Sequence, residues 1–317
     1  VLWDDTVRLG IELRKKLRAI RREFEERERD PARRWFFDAF VPDRVGNVPW
    51  EEVSTEELAA DARYWELAPD AAWHGFSKLA PGYALTDPNK LTLLTPGFEP
   101  DGGYAPFGIP APVVAQYLRE NQVVPEKNDL NSLLFLLTPG VESSKAGTLL
   151  STLVAFKRLH DDNARLDEAI GAFVRRRPAR YSGVRLRDLC GEMHAFFRDA
   201  GVSRLQRAQF EPEHLPTPVM PPHEAVRHLV RNNVDYVPID KAWGRIATTL
   251  FVVYPPGIAS IVPGERLDQR AQPMLDYLLV FEKSANLFPG FEVEIQGIYR
   301  ETAADGAVRF YTYVVRE

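Results

Sequence analysis

The sequence predicts a mixed α/β (α+β) protein of about two domains. Three observations carry this. Residues 4–29 hold an apolar stripe close to the helical period of ~3.6. Between residues 90 and 160, short apolar runs closed by turn residues alternate with amphipathic stretches. The chain finishes on a strand–turn–strand pattern. Its 317 residues set the domain count, on a prior of ~100–200 residues each. With 45% hydrophobic residues a sizeable core is available, and 27% charged residues of mixed sign argue against disorder.

In chain order, Val7, Ile11, Leu13, Leu17, Ile20 and Phe24 line one face of the first helix, with Arg and Glu on the others. An irregular stretch follows. It carries Trp35, Trp50, Trp65 and Trp73 among prolines and acids, and such aromatics need an apolar partner surface, expected from another domain or a second subunit. Ser54/Thr55 caps a short helix from Glu56. Lys90 to Thr95 is a short strand stopped by Pro96-Gly97. A helix over Pro110–Asn121 starts on proline. Ser132 to Thr138 is continuously apolar, as in a strand covered on both faces. Ser143 to His160 is amphipathic and helical, and Asp161-Asp162-Asn163 marks a boundary. Helices near 164–174, 185–200 and 222–231 follow. Strands come next at Asp235–Ile239, Ile246–Tyr254 and Ile258–Val262, then a helix near 270–285. The closing hairpin pairs Glu292–Arg300 with Val308–Val315 around Asp305-Gly306. No internal repeat or low-complexity tract is present.

Charge and composition exclude several function classes. A net charge of −5 gives no electrostatic reason for nucleic-acid binding. No apolar run approaches the ~18 residues of a membrane span, so no membrane partner is expected. The start, Val1-Leu2-Trp3-Asp4-Asp5, lacks the features of a signal peptide, and the missing initiator Met suggests a fragment or processed product. One cysteine, Cys190, excludes an intrachain disulfide and a Cys zinc site, and a cytoplasmic location is the default. The six histidines show no metal spacing and read as surface or capping residues; no metal is expected. There is no G-x-S-x-G, no phosphate-binding lysine loop and no dinucleotide fingerprint. Three Pro-rich loops stand out instead: 254–265, 124–129 and 287–292. Each sets an acid beside an apolar strand, either at a cleft or as a rigid connection.

An ordered series of motifs resembles the C-terminal part of the bacterial ornithine/lysine/arginine decarboxylases, fold-type-I enzymes dependent on pyridoxal phosphate. The series runs through Trp73-His74-Gly75-Phe76, Asp87-Pro88-Asn89-Lys90, Thr95-Pro96-Gly97 and Gly108-Ile109-Pro110-Ala111. It continues with Tyr254-Pro255-Pro256-Gly257, Pro263-Gly264-Glu265 and Phe288-Pro289-Gly290-Phe291. The ornithine enzymes are the most similar, on the segments from Tyr117 through Val124-Pro125-Glu126-Lys127 to Ser132, on Tyr181 with Leu189–His194, and on Glu213–Pro216. Lysine ranks second and arginine third. The resemblance implies three parts: a linking helix and irregular segment over 1–74, an aminotransferase-like small domain over 75–160, and the family's mixed α+β C-terminal domain over 161–317. It implies conversion of ornithine to putrescine and CO2, for polyamine synthesis or acid resistance. It also implies a basic amino acid as small-molecule partner and a homodimer or higher homo-oligomer. The cofactor's lysine sits upstream in a Ser-x-His-Lys motif in such enzymes. No lysine here follows a histidine, so this chain alone is expected to be inactive and to hold no catalytic residue.

The substrate's distal ammonium needs a carboxylate, because a desolvated cation without one is costly. Glu126 is the candidate, since the ornithine enzymes it resembles carry a glutamate there; the alternative is an exposed loop acid paired with Lys127 or Arg119. Glu265 is the weaker candidate, with bracing of the Pro-Gly turn as its alternative. Trp73 and His74 are candidates for the entrance or a subunit contact, and Lys90 reads as a strand-edge lysine. Two rivals remain: a non-catalytic regulatory or oligomerisation fragment, and a generic aminotransferase small domain using Arg245 or Arg300 for a substrate carboxylate.

Overall fold

The computed structural model describes residues 2–254 and 257–316, so Pro255 and Pro256 of the Tyr254–Gly257 motif lie outside the described residues. The chain divides into two compact units, Val1–Ala195 and Phe196–Glu317, with the division inside the helix Leu186–Asp199.

The first unit opens with the helix Leu2–Arg27, with Asp4 and Asp5 in its first turn and Arg27 in its last, signs that suit the helix dipole. Its stripe buries Ile11, Leu13 and Leu17, as the sequence predicts. Arg14 and Arg18 are buried with them. Arg14 donates to Gly10 O (3.0 Å), Pro88 O (2.8 Å) and Lys90 O (2.8 Å), and Arg18 donates to Pro42 O (2.8 Å) and Val41 O (2.9 Å). Two guanidiniums thus latch the helix to the 87–90 turn and the 38–43 loop. Burial pushes the Arg14 pKa down to about 9, with Asp87 opposing, so it stays charged at neutral pH. Ser54 caps the helix Thr55–Ala60, as expected, and the structure adds the reciprocal half of a capping box from Glu57.

The tryptophans find their partner surface within this unit. Trp50 and Trp65 meet edge to face at 5.4 Å, and their indole N–H groups donate to Tyr64 O and Leu58 O. Trp35 is buried too, while Trp73 is half-buried. The expectation that all four await another domain or subunit is therefore corrected: the 29–74 segment folds back over the first helix and satisfies three of them.

A four-stranded antiparallel sheet supports the unit, in the order Asp38–Ala39, Lys90–Leu94, Ser132–Leu136, Lys127–Asn128. Leu91 faces Phe135 and Leu93 faces Leu133 across the central pair, and all four are buried. Leu134 is half-buried and Leu136 is 46% exposed. The apolar run at 132–138 is thus covered on one face only, a correction that follows from antiparallel pairing, which leaves a face free of crossover helices. The helices Leu2–Arg27, Ala111–Glu120 and Ser143–Asp161 pack together beside this sheet. Residues 164–174 form two short helices, Leu166–Ala169 and Gly171–Arg176, and Pro178–Tyr181 adds a further turn. Glu120 accepts the Ala172 and Phe173 N–H groups at 3.0 and 2.8 Å, setting a carboxylate on the helix start at Gly171. Cys190 is a fully buried core thiol.

The second unit packs the helix Gln272–Leu287 against Val308–Val315 and against Val202–Ala208, a helix the sequence reading passed over. The long helix buries Met274, Leu275, Tyr277, Leu278 and Phe281. Val308–Val315 is central in a three-stranded sheet between Tyr299–Thr302 and Val234–Pro238. The expected strand 292–300 is in fact two. Glu294–Gln296 pairs with Phe251–Tyr254 in one sheet, and Tyr299–Thr302 pairs with Val308–Val315 in another. Gly297 makes the break. Its φ is +81°, and a Cβ there would sit 1.9 Å from Leu250 O, so no other residue fits. The strand expected over 246–254 also shortens to Phe251–Tyr254, because Ile246 and Ala247 form single bridges to Arg266 and Val314.

Candidate functional site

Glu126 stands on a short, firmly held hairpin. Behind the helix Ala111–Glu120, Val123 N–H donates to Leu118 O (2.9 Å) and Glu126 N–H to Leu134 O (2.8 Å). Lys127–Asn128 then pairs with Ser132–Leu136. At the tip, the Asp129 carboxylate accepts the N–H groups of Asn131 (2.7 Å) and Ser132 (2.6 Å). Thr95 donates its N–H and its hydroxyl to Asn131 O at 2.9 and 3.0 Å, and Ala111 N–H donates to Leu130 O at 2.9 Å. Pro125 is buried while Glu126 is exposed. Arg119, weighed as a partner for Glu126, instead donates to Asn128 Oδ1 at 3.1 Å. A carboxylate held outward on a fixed backbone can receive a cation without reorganising the chain.

Trp73 half-lines a cleft of about 400 Å³ in the same unit, with Thr95, Pro96 and Gly97 on its wall. Its ring packs on Phe40 at 4.8 Å. His74 is buried. Its Nδ1 accepts the Phe76 N–H at 2.9 Å, which leaves the proton on Nε2 to donate to Ala68 O at 3.0 Å. Both ring nitrogens are thereby used in holding the 68–76 turn. Gly75 closes that turn with φ +68°, and a Cβ on it would meet Pro100 O at 2.2 Å. Glu126 does not line this cleft.

In the second unit, Glu265 accepts the Val262 N–H at 2.8 Å, across the turn Val262-Pro263-Gly264. It lines a hollow of about 460 Å³ with Leu215, Pro218, Ser260 and Arg270. Burial pushes its pKa up, and the Val262 hydrogen bond works against that. Arg245 donates to Asp235 Oδ2 (2.6 Å) and Val315 O (2.8 Å), and Arg300 lies over Phe310 and donates to Val293 O. Both arginines that a generic aminotransferase reading would use are thus engaged with neighbouring segments, Arg245 with Asp235 and Val315 and Arg300 with Val293.

A buried ionic cluster escaped sequence reasoning. Lys157 is fully buried, donates to Asp161 and to Arg33 O (2.7 Å), and lies over the rings of Phe24 (4.4 Å) and Trp35 (4.7 Å). Trp35 Nε1 donates to Asp161 Oδ1 at 3.0 Å. Burial works against the Asp161 carboxylate, but the facing His160, Lys157 and Trp35 hold its pKa below the usual range. His160 sits in a box of Trp35, Phe107 and Phe156, and neither ring nitrogen has a hydrogen-bond partner. Its Nδ1 is 3.7 Å from Asp161 Oδ1, too far for a hydrogen bond. His74, His160 and His194 are all buried, which corrects their reading as surface or capping residues. The available signal was spacing: Lys157 falls on the stripe of Leu149, Leu153, Phe156 and His160, four residues before an acid.

Among the described residues no group of His, Cys, Asp or Glu could hold a metal ion, and no helix is long and apolar enough to cross a membrane. Comparison with known proteins finds two family models. "Orn/Lys/Arg decarboxylase, major domain" matches residues 1–145, and "Orn/Lys/Arg decarboxylase, C-terminal domain" matches residues 203–316. The chain is 40% identical over 316 residues to the constitutive ornithine decarboxylase of Escherichia coli, covering 99% of this chain and 42% of that protein. It is 36% identical to the ornithine decarboxylase of Haemophilus influenzae, covering 100% of this chain and 42% of that one. Among solved structures, lysine decarboxylase A from Pseudomonas aeruginosa superposes with a TM-score of 0.84 at 33% identity, over 99% of this chain and 40% of that one. The chain therefore spans about two-fifths of the length of the relatives it matches.

Proposed function

The chain belongs to the Orn/Lys/Arg decarboxylase family, and from that membership we propose that it works within a longer polypeptide as the part of an ornithine decarboxylase that receives the far end of the substrate. The family depends on pyridoxal phosphate. The lysines of this chain do not fit that cofactor. Lys157 is buried against Asp161 and Arg33 O, and the other eight are exposed or half-buried, none lining the Trp73 cleft.

In this reading Glu126 accepts the distal ammonium of ornithine and orients its side chain, while the α-carbon end is handled by residues outside this chain. The product is putrescine with CO2. The observation that carries the reading is the hairpin: Pro125 buried, Glu126 exposed, and the backbone pinned on both sides. Ornithine is preferred on the likeness of the Tyr117–Ser132 segment to the ornithine enzymes; the ornithine decarboxylases the chain matches are 35–40% identical to it, and the lysine decarboxylase of Pseudomonas aeruginosa is 35%. A cytoplasmic homo-oligomer, the small-domain assignment of residues 75–160 and the C-terminal domain from 161 belong to the same proposal.

Glu126→Gln in the full-length holoenzyme tests it. The amide keeps the size and loses the charge. A charge-assisted hydrogen bond contributes ~1.5–3 kcal/mol, so kcat/KM for ornithine falls roughly 10–100-fold. Cofactor absorbance and melting temperature stay at their wild-type values. Unchanged kcat/KM overturns the assignment.

A further inference from the structure

We propose that Val124 is a specificity-determining residue, the apolar wall beside the substrate's last methylenes that sets how long a side chain can reach Glu126. The inference rests on the reading of Glu126 as the ammonium acceptor and adds what measures the distance to it.

Val124 is 71% exposed, although it sits in a firmly held segment. Burial alternates through the loop: Val124 outward, Pro125 inward, Glu126 outward. Proline fixes its own φ and confines the residue before it to extended conformations. In an extended chain, residues two apart point to the same side, ~6.6 Å apart along the strand. Val124 and Glu126 therefore present one surface, apolar at one end and anionic at the other. The hydrogen bonds Val123 N–H to Leu118 O and Glu126 N–H to Leu134 O hold it on both flanks. Valine is stiff about χ1, so the wall has a fixed position. An ω-amino acid matches this surface, with methylenes against valine and ammonium on glutamate. Nothing in the packing of the loop itself calls for an apolar side chain at 124, since Pro125 supplies the buried contact.

The test measures kcat/KM for ornithine and for lysine in full-length holoenzyme carrying Val124→Ala, Val124→Leu or Glu126→Gln. One methylene in an apolar site discriminates ~10–200-fold. A wall open to solvent on one side belongs at the low end. Val124→Ala should shift the ornithine-to-lysine ratio about 10-fold toward lysine, and Val124→Leu should shift it the other way. Lost folding would lower both substrates together and leave the ratio alone, so the ratio reads contact with substrate. A ratio within about twofold of wild type in both Val124 variants overturns the inference. If Glu126→Gln has then lowered kcat/KM for ornithine, the Val124 assignment alone fails; if Glu126→Gln is silent, the reading of Glu126 fails with it.

Discussion

The interiors of the two units are built from different chemistry. Every ionisable side chain among the described buried polar residues lies in the first unit: Arg14, Arg18, His74, Lys157, His160, Asp161 and His194. Among its described residues the second unit buries no charged side chain; its buried polar groups are those of Gln209, Thr248, Ser260, Ser284 and Thr312, with the Tyr277 hydroxyl. Its core is a long apolar helix on a sheet, held by area removed from water. The first unit depends in addition on each buried charge keeping its partner, because an ion stripped of its partner is far worse than an apolar side chain in its place. The first unit should therefore respond sharply to single polar substitutions and to acid, and the second mainly to lost packing.

The largest expected effect is at Asp161. Asp161→Ala leaves Lys157 charged and facing only Arg33 O and two aromatic rings, at a cost of ~3–5 kcal/mol. Hydrogen–deuterium exchange resolved by peptide should show protection lost across residues 7–160 and kept across 272–315. A double change, Lys157→Met with Asp161→Leu, should regain most of it. Uniform loss in both units would erase the contrast.

The second effect is at His160. Burial pushes its pKa down from 6.5; the Asp161 carboxylate opposes this, and Arg187 and Lys157 add to it. The unfolded chain then takes up the proton first, so the stability from neutral His160 is present above pH 6.5 and lost as pH falls through the lower folded value. His160→Phe removes two unsatisfied nitrogens, should stabilise the first unit by ~1–3 kcal/mol, and should flatten its acid sensitivity in pH-dependent urea melts. An equally acid-sensitive variant would assign the effect to another group.

The smallest effect belongs to the second unit and has the opposite sign. The Glu265 pKa is raised by burial, so its contribution is complete below about 4.5 and lost as pH rises through the folded value. Glu265→Ala removes the acceptor of the Val262 N–H, at ~0.5–1.5 kcal/mol, and should be seen as faster exchange at 258–266 with kcat/KM preserved. A large kinetic loss with normal exchange would move Glu265 into the substrate site.

Much of this was legible in the sequence. Ile11, Leu13 and Leu17 marked the face of the first helix, and Ser54 marked the cap of the next. What stayed hidden has a common cause. Arg14, Arg18 and Lys157 sit on apolar stripes, and a charged residue there reads as a break in the stripe unless its carbonyl and carboxylate partners are known. Most of those partners lie far away in sequence: Pro88 and Lys90 for Arg14, Val41 and Pro42 for Arg18, and Arg33 for Lys157, whose carboxylate partner Asp161 is close by. Gly297 read as a strand interior because only tertiary contact, the approach to Leu250 O, turns it into a break. Glu126 was found by family resemblance, whereas its neighbour Val124 drew no notice, since exposure of an apolar side chain on a pinned loop is visible only in three dimensions.

The hydrogen bond from Trp35 to Asp161 joins residues 126 apart, and Lys157 reaches back 124 to Arg33. A nascent chain emerges from its N-terminus at ~5–20 residues per second, so Trp35 waits roughly 6–25 s for its carboxylate. Through that interval Trp35 and Phe37 lack the helix Ser143–Asp161 whose His160 and Phe156 cover them, and the growing polypeptide presents an aromatic surface suited to chaperone capture until residue 161 is free to close it.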